Sequence, residues 1–570
     1  MGALVQDLEQ WRRLALGVLR KSGLAGEDTP PEAVGDLLST ETYDGLRIAP
    51  LYTAEDQAPP PGQPGQVPYV RGGGDAARPW DVRQRHANPD PKATRAAVLD
   101  DLENGATSLW LAGIAPGDLA EALDGVYLDL AAVVLDNGAD TVESARAFLA
   151  LPGEDKSGNL GADPLGWSAR TGATAEMSVL AVLSKISPVA VATVDATVYH
   201  DAGGSDAEEL GYATATGVAY LRELVAAGLS AGMALKQLEF RFAATADQFA
   251  TIAKLRAARR VWSRVAQVCD VPHLGAQRQH AVTGDPMMTA RDPWGNLLRT
   301  TVACFAAGVG GADAVTVQPF DARLGLPDGF SRRIARNTQS LLIEESAVAR
   351  VLDPAGGSWY VESLTDALAH AAWDVFTEVE RAGGMAAALR GGMVADRIEA
   401  TRQRRAEDIA HRRQPITGVS EFPDLAERRP VRAPAPPPPS GGLPRIWHSE
   451  GFERLRDAAD AAAAPPSVRL VALGSPAAHS ARVSFAGNLF AAGGVRLTDA
   501  PSSVACICGS DRSYAEEAAE TARRLKDEGV RKVWLAGKPA GFDGVDAYLY
   551  TGCDALAVLQ QTHRDLGVAP

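Results

Sequence analysis

Apolar positions Leu4, Leu8, Trp11, Leu14, Leu16 and Leu19 recur mostly at three- to four-residue spacing, which predicts an amphipathic helix over 3–21. Over 57–74 this pattern gives way to proline and glycine, a composition that builds no core and is expected to run extended over a surface, of this chain or of a partner. From Arg78 to about Ser346 short apolar runs alternate with longer helical patterns. Residues 108–112, 189–197, 238–242 and 314–317 read as strands, and 92–104, 206–227 and 244–269 as helices. Ser205-Asp206-Ala207-Glu208 is a capping box ahead of the second of these helices. Strand–helix alternation sustained over this length fits a (β/α)8 TIM barrel better than an open sheet.

Residues 364–403 are mostly helical in pattern. The stretch 428–442, with four consecutive prolines followed by Ser-Gly-Gly, is the clearest linker in the chain. Beyond it, strands at 467–473, 504–508 and 532–536 alternate with helices at 481–492, 515–528 and 555–566, the signature of a flavodoxin-like doubly wound domain. The expected division is an N-terminal helix and extended arm (1–75), a barrel with trailing helices (76–427), the linker (428–442) and the doubly wound domain (443–570).

Composition narrows the function classes. With 46% hydrophobic and 22% charged residues the 570-residue chain is an ordinary globular mixture. Its 71 acidic and 56 basic residues give a formal charge of −15, which disfavours a nucleic-acid partner. Five scattered cysteines make no disulfide framework, so a reducing cytoplasm is expected. Neither a signal peptide nor an apolar run long enough for a membrane span is read in the sequence.

Several motifs carry a family resemblance. They are Arg78-Pro79-Trp80-Asp81-Val82-Arg83-Gln84, Asp201-Ala202-Gly203-Gly204-Ser205-Asp206-Ala207-Glu208-Glu209 and Ala253-Lys254-Leu255-Arg256-Ala257-Ala258-Arg259. Phe330-Ser331-Arg332-Arg333-Ile334-Ala335-Arg336-Asn337-Thr338-Gln339, with Glu344-Glu345-Ser346, and Asp353-Pro354-Ala355-Gly356-Gly357-Ser358-Trp359-Tyr360-Val361-Glu362 extend the match. Together with the order barrel, proline-rich linker, flavodoxin-like domain, this resembles the adenosylcobalamin-dependent methylmalonyl-CoA mutases.

The departures from that family's catalytic subunit are informative. The resemblance implies a radical-flanking tyrosine three residues before the Arg-Pro-Trp motif, where this chain has Asp75. It implies a catalytic histidine seven residues before Ser205, where Val198 stands; Tyr199 and His200 form a Tyr-His pair displaced by two residues. The family's Gln-Asn-Asp segment is Gly161-Ala162-Asp163, and its Thr-His-Arg-Gly-Tyr run is replaced by Ala115-Pro116-Gly117. In the C-terminal domain the Asp-x-His-x-x-Gly motif, whose histidine is the lower axial ligand of cobalamin, becomes Ala477-Ala478-His479-Ser480-Ala481-Arg482. The later Gly-Gly is Ala536-Gly537. The resemblance is therefore to the small, non-catalytic subunit of the heterodimeric bacterial enzymes. It implies a large-subunit partner that holds the adenosylcobalamin and interconverts (R)-methylmalonyl-CoA and succinyl-CoA. Two other readings are an active divergent acyl-CoA mutase and a protein that loads or guards cobalamin.

On this reading the chain has no catalytic, cofactor-binding or metal residues, and His479 is a vestigial ligand position without the carboxylate that would orient its imidazole. His200 with Asp201 reads as a barrel-mouth histidine at a turn, Cys506 and Cys508 as buried strand cysteines, Gly72-Gly73-Gly74 as no phosphate loop, and Arg332, Arg333 and Arg336 as packing or interface residues. The family's first barrel strand, Gly-Leu-Ser-Val-Ala-Phe-Asp, aligns with Ser108-Leu109-Trp110-Leu111-Ala112-Gly113-Ile114. Trp110 is then expected to point into the barrel and close the coenzyme A path. The alternative register packs it outward under a helix.

Overall fold

The computed structural model describes residues 2–56, 58–153 and 155–568. The opening helix, Gly2–Lys21, packs Leu16 and Leu19 on Val34 and leaves Leu14 and Val18 about two-thirds exposed. A two-stranded hairpin follows, β1 (Thr40–Glu41) and β2 (Arg47–Ile48). Its turn is tied to the body: Asp44 accepts from the Ala207 amide at 3.2 Å and the Tyr43 hydroxyl donates to Asp408 at 2.8 Å. The Pro/Gly segment lies on this chain's own barrel, one of the two surfaces the sequence allowed. Arg259 donates to the Val70 carbonyl at 2.9 Å, and Arg71 pairs with Asp353 at 3.1 Å.

Eight parallel strands close a barrel: β3 (Asp81–His86), β4 (Ser108–Ala112), β5 (Ala132–Asp136), β6 (Gly158–Ala162), β7 (Ala190–Asp195), β8 (Leu238–Ala244), β9 (Gln279–Thr283) and β10 (Ala314–Thr316), with β10 beside β3. The sequence-predicted strand over 189–197 ends earlier, because the Asp195 carboxylate takes the Thr197 amide and hydroxyl and starts a short helix, Thr197–Asp201. The helix predicted over 244–269 begins later, at Gln248–Val268. Ala244 completes β8, and Asp247 caps the helix by accepting from the Ala250 amide. Ser205 and Glu208 form the expected capping box on helix Asp206–Ala226. That helix and Trp359–Arg381 pack the outer core, where Leu109, Leu111, Phe240, Phe242 and Trp262 lie.

The linker does not float. Leu326 bridges Ala433, and Arg432 pairs with Asp321. Its downstream end crosses the C-terminal mouth of the barrel as a strap. The Gly442 and Leu443 amides donate to the Arg170 and Ala169 carbonyls, Ile446 to Asp201, and His448 to Pro286.

The C-terminal sheet comprises β11 (Ser467–Ala472), β12 (Arg496–Thr498), β13 (Val504–Cys508), β14 (Lys532–Ala536) and β15 (Ala547–Leu549), in the order β12-β11-β13-β14-β15. This is the flavodoxin-like 2-1-3-4-5 arrangement, with its switch point between β11 and β13. The helix predicted over 481–492 begins at Pro476, because Ser475-Pro476 supplies an extended cap and a proline in the first turn.

Candidate functional site

Chemistry on a (β/α)8 barrel sits at the C-terminal ends of the strands. The side chains that reach this mouth come from alternate, inward-facing strand positions. Trp110 belongs to a small interior cluster with Ala112 and Val282, whereas its neighbours Leu109 and Leu111 pack in the outer core. The strand register is therefore the one that turns Trp110 inward. Its indole N–H donates to Asp136 at 3.2 Å, its ring meets His280 edge-on, and the side chain is 7% exposed.

Around it the barrel interior is filled by charge rather than by branched apolar side chains. Arg83, fully buried, donates to Glu239 at 2.6 Å and to Ser108 at 3.1 Å. One turn up the axis, Arg241 bridges Asp136 at 3.1 Å and Asp195 at 2.8 Å, and Asp195 also takes Arg170. Burial opposes the charge on Asp195, but Arg170 and Arg241 prevail and hold it well below the usual carboxylate range. Burial, with Arg83 and Arg241 nearby, pushes His280 well below its usual value, so the ring is neutral. The Arg241 Nε donates to His280 Nδ1, which leaves Nε2–H to donate to Thr316 at 2.8 Å. Asp163 is different: burial raises it to about 7 despite Arg170, and it accepts from the Tyr220 hydroxyl at 2.5 Å.

Several sequence-singled residues lie elsewhere. Asp75 is exposed and precedes β3, at the N-terminal rim, so it is remote from the mouth; the side chain β3 contributes there is Arg85. Val198 is buried in the outer core. His200 faces Glu209, 3.8 Å away, rather than forming a pair with Asp201. His200, Asp206 and Glu209 could together meet a metal ion, but the Lys254 ammonium already sits 2.9 Å from Asp206 and 2.7 Å from Glu209. Gly161 sits at a positive φ beside a register shift in β6, where a Cβ would lie 1.8 Å from the Leu135 carbonyl oxygen. Ala115-Pro116-Gly117 lies at a single 3-10 turn after β4. Gly72-Gly73-Gly74 lies on the rim with no helix following it. Arg336 and Arg332 pair with Asp101, and Arg333 lies over Phe330.

In the C-terminal unit Cys506 and Cys508 are fully buried with sulfurs 3.8 Å apart. His479 is on the first turn of helix Pro476–Ala492, and its buried Nδ1 has no hydrogen-bond partner among the described residues. From the next turn Arg482 reaches across the strand ends. It donates to the Gly509 carbonyl at 3.0 Å and to Asp511 at 2.5 Å, and lies over the Tyr514 ring at 4.8 Å. Tyr514 in turn joins Gly509 to the Ala536 carbonyl.

A profile of the family Methylmalonyl-CoA mutase matches residues 41–121 and 178–462, more than half of the chain. The methylmalonyl-CoA mutase small subunit of Streptomyces virginiae is 55% identical, over 98% of this chain and 97% of its own length. That of Propionibacterium freudenreichii subsp. shermanii is 39% identical, over 98% and 95%. The methylmalonyl-CoA mutase of Escherichia coli K12 is 29% identical, over 73% and 64%. The chain belongs to the methylmalonyl-CoA mutase family. The profile match has a gap over 122–177, the stretch that holds Gly161, Asp163 and Arg170.

The family is one of cobalamin-dependent isomerases. The residues at this chain's switch point do not fit a histidine-ligated corrin. His479 has no carboxylate on its second nitrogen to orient it, and Arg482 fills the ground a bare backbone would leave open, its Nη1 lying 3.4 Å from where a Cβ on Gly537 would stand.

The mouth residues Arg85, Asp136, Arg170, Asp195, Arg241 and His280 were not singled out by the sequence. For Arg85 there is one early signal: β3 reads Asp-Val-Arg-Gln-Arg-His, with charged residues at every second position.

Proposed function

We propose that this chain is the small subunit of a heterodimeric methylmalonyl-CoA mutase. It holds neither substrate nor adenosylcobalamin itself, and it stabilises a large subunit that carries the cofactor and interconverts (R)-methylmalonyl-CoA and succinyl-CoA. The observation that carries this reading is Trp110 turned into the barrel, with Arg241 over its ring and the Arg83–Glu239 pair below, across the axis a coenzyme A thioester would thread. The small-subunit names of the relatives that span almost the whole chain support it. No catalytic residue is assigned to this chain. The arm 1–75, the barrel 76–427, the linker 428–442 and the domain 443–570 are its working parts, and the partially exposed opening helix is offered to the partner. Among the described residues no helix is long and apolar enough to cross a membrane, and a cytoplasmic location goes with the free cysteines.

The test is co-expression with the large subunit, followed by size-exclusion chromatography with light scattering and a turnover assay. A 1:1 complex with turnover and corrin absorbance, both absent from this chain alone, is expected. Turnover by the isolated chain would establish a divergent active mutase instead. Corrin carried by the isolated chain would point to a loading or guarding protein.

A further inference from the structure

Four guanidinium groups meet at the barrel mouth, from Arg85, Arg170, Arg241 and Arg445. Three have carboxylate partners: Arg170 has Asp195, Arg241 has Asp136 and Asp195, and Arg445 has Asp285 at 2.6 Å. Among the described residues no carboxylate oxygen lies within 4.0 Å of Arg85. Arg85 is not a stray surface cation. It is open to solvent, yet its guanidinium carbon is 5.0 Å from the centre of the Trp110 ring, inside the mouth. The surrounding protein depresses its pKa, and Arg445 and Arg241 add to that while Asp136 opposes it. A second donor is also unmet: Arg241 is 1% exposed, and its Nη2 is buried without a partner among the described residues. Asp163, 4.0 Å from Arg170, and Asp201 face the same cluster, so the unmet charge is local to Arg85, the one of the four guanidinium groups without a carboxylate partner among the described residues.

We propose that the mouth binds one small oxyanion, a carboxylate or phosphate group, anchored on the Arg85 guanidinium in the field of Arg241 and Arg445. A planar guanidinium in a partly desolvated setting suits either group, because both accept two parallel N–H bonds. The ligand has to be small. Trp110 closes the axis beneath, and the strap through Leu443, Ile446 and His448 crosses above. The site belongs to this chain alone and stands whether or not the chain has a mutase partner.

The test is isothermal titration of the full chain, at constant ionic strength, with inorganic phosphate in one arm and acetate and succinate in others, against chloride. Saturable one-to-one binding in at least one arm is expected, weakened at least tenfold in Arg85→Gln and less in Arg85→Lys, which keeps the charge but loses the planar pair of donors. Tryptophan fluorescence should respond to the same anion and lose that response in Trp110→Phe. The arm that saturates identifies the group. Absence of saturation in every arm, or saturation unchanged in Arg85→Gln, overturns the proposal. Circular dichroism of the Gln variant guards against unfolding, and the Lys variant keeps the charge if Gln does not fold.

Discussion

The Arg241 guanidinium lies 3.9 Å from the centre of the Trp110 ring, so two of the largest side chains in the protein stack across the axis of one barrel. A buried cation over an indole face is worth about 2 kcal/mol or more when desolvated. Here it also brings Arg241 to Asp136, the acceptor of the indole N–H. The ring and the ion pairs are therefore one structure, and neither leaves a channel when the other is changed.

Replacing Trp110 with serine, the residue of the aligned family strand, tests this. The substitution removes a large buried side chain and leaves a cavity, so unfolding stability should fall by about 3–5 kcal/mol. Arg241 and the Arg83–Glu239 pair still lie across the axis, so no succinyl-CoA binding should appear. Urea denaturation and calorimetric titration check the two halves; tight succinyl-CoA binding by the variant would show that the tryptophan alone closes the path.

Gly161→Gln, which restores the aligned family residue, should be worse tolerated. Its Cβ would stand 1.8 Å from a backbone oxygen of β5, and the backbone there has a positive φ. Backbone cannot yield as a side-chain tip does, so the variant is expected to be insoluble or destabilised by more than about 3 kcal/mol. A melting temperature within a few degrees of the parent would refute the account of this strand.

Asp163 sets a pH dependence. Its folded value of about 7 lies above the ordinary carboxylate value, so between roughly pH 4 and 7 the folded state holds a proton that the unfolded state has released. Its contribution to stability is fully present below pH 4 and is lost as pH rises toward 7. Asp163→Asn keeps the acceptor for Tyr220 and Gly166 without the charge. The variant should therefore gain on the parent between pH 5 and 8, by on the order of 2 kcal/mol in urea titrations. Parallel curves for the two proteins would remove Asp163 as the cause.

The C-terminal unit should not retain a corrin. After incubation of the full chain with hydroxocobalamin and desalting, no visible absorbance is expected to travel with the protein. Retention that is abolished by His479→Ala would mean that the helix start at Pro476 unwinds to present the imidazole.

The fold was legible where the barrel obeys the apolar rule and obscure where it does not. Strand β4 reads Ser-Leu-Trp-Leu-Ala and was found to the residue. Strands β3 and β9 were missed because their inward positions hold Arg83, Arg85 and His280 in place of branched apolar residues. Strand β6 was missed because its glycines answer to close backbone approach rather than to a side-chain pattern. Strand β5, with Val133-Val134-Leu135, carries an ordinary apolar signal although it lies outside the strands expected from the sequence. The three-residue strands β12 and β15 lie at the sheet edges and are only partly buried, so they lack the apolar run that marks the equally short but buried β10. At the site, a linear motif could not distinguish the rim position Asp75 from the mouth position Arg85, because strand direction decides which end a residue reaches. Trp110 was legible, because strand alternation fixes direction once the register is known.

The strap across the barrel mouth has a consequence for how the protein is made. Its amides bond to carbonyls of Ala169, Arg170, Asp201 and Pro286, contacts that span from roughly 160 to more than 270 residues of sequence. At about 5–20 residues per second, a ribosome delivers all eight barrel strands well before residue 448 emerges. For that interval the nascent barrel stands with its crown uncapped and Arg445 absent from Asp285. Arrival of the strap, rather than closure of the sheet, is therefore the step that completes the mouth.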